Sequence, residues 1–168
     1  MRAKIHKYIY LAGLCIIAFF LPLSEYISNA AIFLLLTNWL VELGFKEKWN
    51  KLRNDVTIPI FLLIFVVHVV WLIASENLVY GLHDLKIKLP LLALPVIIGT
   101  SKVMSTKQMR LIITMFVLGV LISSLAGLFI YFDFLENPKP DNVRNISYFV
   151  SHIRLSLMIA LSVLILFY

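Results

Sequence analysis

Long apolar runs separated by short charged links dominate this chain, and no other feature restricts its folding as tightly. A bilayer core about 30 Å thick is crossed by roughly 20 helical residues, and each backbone polar group inside it must be satisfied within its own segment. On that ruler six spans are expected, at about 8–23, 27–43, 58–74, 82–99, 111–132, and from 146 or 155 to the end. Strands of a membrane barrel would run about ten residues with alternating polarity, whereas these runs are longer and apolar on every side. The expected fold class is therefore all-α: a polytopic transmembrane helix bundle of about six helices, one membrane domain over residues 1–168.

Composition agrees. Hydrophobic residues make up 61% of the chain and charged residues 14%, against nearly half and a quarter in a soluble domain. Mean hydropathy is +0.95. The net charge of +6 lies in short links between apolar runs, so nucleic acid is not the expected partner; membrane lipid is. The first run follows Arg2, Lys4 and Lys7, yet Pro22, Leu23, Ser24 and Glu25 replace any small-residue cleavage site. It reads as a retained helix rather than a cleaved signal. Cys15 is the single cysteine, which excludes an internal disulfide and leaves it as a small buried hydrophobe.

Orientation follows from Lys and Arg. Ten of them fall in the N-terminus, the 44–57 link and the 100–110 link; five (Lys86, Lys88, Lys139, Arg144 and Arg154) fall in the alternate links. That bias places the N-terminus in the cytoplasm and segments 24–26, 75–86 and 133–154 outside. The last contains the turn-rich "ENPKPDN" and the sequon Asn145-Ile146-Ser147, a tripeptide common by chance.

Some charges sit deeper than a link allows. Asp84 and Lys88 are four residues apart in the outer part of the fourth span and share a helix face. Lys86 points away from them. Either both lysines snorkel outward, or Lys88 faces the bundle and offers its charge to an anionic ligand. Pro90 and Pro95 lie just beyond and should kink that helix. In the sixth span, Arg154 is only about 21 Å of helix from Tyr168. Its charge needs an anion: a carboxylate from Glu25, Glu76, Asp84 or Asp133, or a phosphate gripped by the guanidinium fork. Ser147, Ser151, Arg154, Met158 and Ser162 form a polar stripe expected to face other helices. His68, in "FVVHVVW", reads as an interhelical hydrogen-bonding residue, and Glu25 and Glu42 as solvated carboxylates at span ends. No metal-ligand cluster, Gly-rich phosphate loop or nucleophile elbow occurs.

Three stretches resemble one family. "NWLVELGFKEKWNKLRND" is similar to the first cytoplasmic loop of Bacteroidetes-type O-antigen ligases. "ENLVYGLHDLKIKLPLLALPVIIG" resembles their outer loop and fourth helix, and "ISYFVSHIRLSLMI" the outer end of their sixth helix. The likeness spans nearly the whole chain. It implies a multi-pass inner-membrane glycosyltransferase that transfers a glycan from undecaprenyl pyrophosphate to a lipid A-core acceptor on the periplasmic face, without metal, cofactor or nucleotide sugar. By resemblance, Arg154 holds the lipid pyrophosphate, Lys88 is a supporting cation and His152 a neighbouring polar contact; no catalytic residue is assigned. Such families continue for some 200 residues or more through a large periplasmic loop, so the chain is expected to be the N-terminal part of a longer protein, cut inside its sixth helix and inactive alone. A polymerase of the same superfamily is the nearest alternative. A transporter or a structural membrane subunit without chemistry comes from another class.

Overall fold

The computed structural model describes residues 2–73, 77–132 and 149–167. Among these residues every regular element is helical and there is no strand: α1 (Arg2–Phe20), α2 (Glu25–Val41), α3 (Phe45–Asn54), α4 (Thr57–Ile73), α5 (Leu78–Ile87), α6 (Leu89–Thr100), α7 (Thr106–Tyr131) and α8 (His152–Phe167). The all-α class is thus observed.

Local chemistry sets the boundaries. α7 starts five residues before its apolar run because Ser105 and Gln108 form a capping box: Gln108 N–H donates to Ser105 Oγ at 3.4 Å, and Ser105 N–H donates to Gln108 Oε1 at 3.0 Å. The fourth run is two helices rather than one kinked helix. Pro90 has no N–H for the Lys86 carbonyl and its ring crowds that carbonyl, so the ladder stops at Lys88. Proline is tolerated at the start of α6, where an N–H would lack an intrahelical acceptor; Pro95 stays inside α6. Between α2 and α3 the chain turns through 112°, using left-handed backbone at Leu43 (φ 58) and Gly44 (φ 72).

The chain divides into two compact units, Met1–His6 with Leu34–Val103 and Lys7–Phe33 with Met104–Tyr168. In the first, α4 packs on α6, and α3 and α5 also contact α6. Ile58 and Phe65 are the buried residues of α4, with Leu62 and Leu72 half-buried on the same stripe. In the second, α7 packs on α8. The buried residues of α7 include Gly119, Ser123 and Gly127, spaced four apart. At Gly119 an added Cβ would run into the backbone carbonyl of Phe19 and lie 3.1 Å from Pro22 Cγ, so α1 and α7 approach at backbone distance.

Outside its buried stripe α4 is largely apolar. On α4, Phe61, Leu63, Val67, Val70 and Trp71 are all exposed. Among the described residues α7 alone is long and apolar enough to cross a bilayer as one straight helix; α2 and α3 meet the same measure only as a bent pair, and α4 and α8 are apolar but 17 and 16 residues long.

Gly119→Ala should lower the unfolding midpoint in detergent by the equivalent of about 1–3 kcal/mol, because a backbone carbonyl cannot rotate away. Gly99→Ala should cost less. Its new methyl meets only Cδ1 and Cγ1 of the Ile58 side chain at 2.6 Å, and that side chain has other rotamers.

Candidate functional site

Arg154 is built into the first turn of α8. Ser151 precedes the helix, and its Oγ accepts from the Arg154 N–H at 3.4 Å, the bond of an N-cap serine. The α8 buried face is Leu155, with Met158 half-buried and Ser162 buried below it. Of the expected polar stripe, Met158 and Ser162 therefore turn inward, while Ser151 and Arg154 stay exposed; Ser147 lies outside the described residues. The guanidinium Nη1 donates to Glu25 Oε1 at the start of α2. Glu25 is thus not merely solvated: among the described residues it is the candidate carboxylate that reaches the arginine. Glu76 and Asp133 lie outside the described residues.

Both members of this pair are more than half exposed, at 58% and 62% of their side chains. At such exposure an ion pair contributes about 0–1 kcal/mol. A guanidinium carries five N–H donors, and among the described residues only Glu25 takes one. His152 opens α8 and is exposed, two residues from Arg154; at that spacing the two side chains do not share a helix face.

Lys88 belongs to the other unit. Its ammonium donates to Asp84 Oδ2 at 2.6 Å, the expected pairing, and stands at the junction of α5 and α6. A cleft of about 450 Å³ opens beside it, lined from α4 by His68, Trp71 and Leu72 and from α5 by Tyr80, Gly81 and Asp84. Lys88 therefore faces protein on one side. His68 corrects the sequence expectation: its Nδ1–H donates to Ile64 O of its own helix at 2.7 Å, not to another helix. A carbonyl only accepts, so Nδ1 carries the hydrogen and Nε2 is left as an acceptor in the neutral ring. Asp84, Lys88, His68 and two aromatic rings around one opening form a polar, partly aromatic recess.

Sequence reasoning did not find a third cluster. His6 Nδ1–H donates to Asn38 Oδ1 at 2.8 Å, and Asn38 Nδ2–H returns to His6 O at 3.2 Å. Trp39 Nε1–H donates to Thr100 Oγ1 at 2.8 Å. Lys48 is buried; its ammonium donates to Trp39 O at 2.6 Å, pairs with Glu42 at 3.3 Å and lies 4.6 Å from the Trp39 ring centre. Lys51 donates to Ser101 O at 2.9 Å. The start of α1, the end of α2, α3 and the end of α6 are thereby clasped together. Glu42 stays exposed, as expected, and also serves as the counter-charge of the buried Lys48 ammonium. Polar residues interrupting apolar spans at Asn38 and Thr100 were the available signal.

Among the described residues no group of His, Cys, Asp and Glu is placed to hold a metal ion. Comparison with protein-family models, with curated proteins and with solved structures finds no match.

Glu25→Gln removes the carboxylate charge from an exposed pair. Its unfolding midpoint should shift by the equivalent of less than about 1 kcal/mol, measured in detergent beside the wild type; a loss of several kcal/mol would show a desolvated pair.

Proposed function

We propose that the chain is the N-terminal, membrane-embedded part of an O-antigen ligase-like glycosyltransferase of the bacterial inner membrane. In this reading α1, α2, α4, the broken α5–α6 pair, α7 and α8 are six spans, and the N-terminus is cytoplasmic. The exposed apolar circumference of α4 and the small-residue face of α7 support lipid as the surrounding solvent. The clasp supports a shared side for the N-terminus, the α2–α4 link and the end of α6, the segments rich in Lys.

The glycan-transfer reading comes from the resemblance in "ISYFVSHIRLSLMI", and one observation carries it furthest. Arg154 stands in the first turn of an apolar helix, held by one carboxylate through one nitrogen and otherwise exposed. Its remaining donors suit a pyrophosphate, for which the planar fork gives paired charge-assisted hydrogen bonds that lysine lacks. Glu25 would neutralise the arginine when no lipid-linked glycan is bound. Lys88 would be a supporting cation and His152 a neighbouring polar contact. The acceptor would be lipid A-core, or another glycan in a polymerase of the same superfamily.

The Arg154–Glu25 pairing also favours a second reading, in which the arginine only ties α8 to α2 in a structural or transport subunit. Substitution separates the two. In the longest natural polypeptide containing this sequence, Arg154→Lys should keep membrane insertion and reduce glycan attachment to lipid A-core roughly ten- to a hundred-fold, the rate equivalent of about 1.5–3 kcal/mol of charge-assisted hydrogen bonding. Full ligation by Arg154→Ala would remove Arg154 from the site and leave the structural reading.

A further inference from the structure

α3 is a short, strongly charged helix, yet Trp49 on it is 65% exposed and Phe45 48% exposed. A large indole gains little from water; its apolar body and N–H suit the headgroup layer of a bilayer. The position of Trp49 is fixed. Lys48 and Lys51 bind carbonyls at the ends of α2 and α6, which holds α3 against rotation about its axis. At about 100° per residue, the bound face of Lys48, Lys51 and Leu52 is followed by an aromatic edge of Phe45 and Trp49. Next comes a basic edge of Arg53 and Lys46, and Glu47 falls beyond it on the other side. Arg53 and Lys46 are both exposed.

The 112° turn at Leu43-Gly44 decides the direction of the helix. If α2 crosses the bilayer, α3 runs close to the membrane plane rather than continuing along the normal. An in-plane helix with adjoining aromatic and basic edges is the arrangement of an interfacial anchor. We infer that α3 lies in the headgroup layer of the cytoplasmic leaflet, with Trp49 inserted below the phosphates and Lys46 and Arg53 bound to anionic phospholipid. The charge complementarity selects anionic over zwitterionic lipid. This rests on the membrane placement proposed above and is independent of the glycan chemistry.

The test uses the whole chain in nanodiscs of phosphatidylglycerol or of phosphatidylcholine, each brominated high on the acyl chain. Bromine quenching lost on Trp49→Phe reports Trp49; quenching lost on Trp71→Phe reports α4. Trp39 is left intact because it belongs to the clasp. The expected result is quenching at Trp49 that is at least about two-fold stronger in phosphatidylglycerol, with the excess abolished in the K46Q/R53Q variant. Quenching at Trp71 without quenching at Trp49 would overturn the anchor while leaving the membrane placement standing. Equal quenching at Trp49 in both lipids would overturn the anionic preference. Quenching at neither tryptophan would overturn the membrane placement itself.

Discussion

α4, α7 and α8 each bury a narrow stripe against their neighbours and leave the remainder of their apolar surface uncovered. On α4 that remainder includes Phe61, Leu63, Val70 and Trp71, and on α8 it includes Leu157, Leu161 and Leu164. In water each such side chain forgoes a burial gain of about 1.5–3 kcal/mol, and a compact domain would fold to avoid it. In the membrane setting proposed above, lipid removes that penalty. It also removes the hydrophobic force between helices, so association must come from close packing and polar contacts. Gly119, Ser123 and Gly127 on α7 provide the first, and the approach to the Phe19 carbonyl is possible only because Gly119 has no side chain.

The polar contacts sit at helix ends. The clasp around Lys48 satisfies a buried ammonium with a backbone carbonyl, a carboxylate and an aromatic face. Its members come from α1, α2, α3 and α6, so it brings the ends of α1 and α6 to the α2–α3 turn. The Lys88–Asp84 recess lies toward the other end of α4, lined by its residues from Val67 to Leu72. Within this unit a cleft opens at each end: one of about 420 Å³ beside the clasp, lined by His6, Glu42, Lys48, Lys51 and Thr100, and one of about 450 Å³ beside Lys88.

Apolar run length made most helices legible. The third run was expected at 58–74 and is found at Thr57–Ile73, with Asp55 Oδ1 accepting from the Thr57 N–H at 2.9 Å at its start. The ruler failed where other physics ruled. α3 is charged rather than apolar, and its helical signal was an unbroken stretch without Gly or Pro. Pro90 ends a helix at Lys88 where a kink was expected, since both the missing N–H and the ring act on the Lys86 carbonyl. Of the site residues, Arg154 was legible as a charge that needed an anion, and Glu25 was among the carboxylates that charge and topology allowed. The His68 bond to its own backbone and the whole Lys48 clasp were not legible, because helical periodicity gives spacing within an element and not which elements meet.

An outward-facing Arg154 requires that the links alternate across a bilayer with the N-terminus inside. Alkaline phosphatase, which is active only outside the cytoplasm, can be fused after Lys51 in the α3 segment and after Asp141 in the link before α8. The first fusion should be inactive and the second active at equal expression. The reverse pattern would invert the topology and move Arg154 to the cytoplasmic face, and two inactive fusions in a soluble protein would remove the membrane from the account.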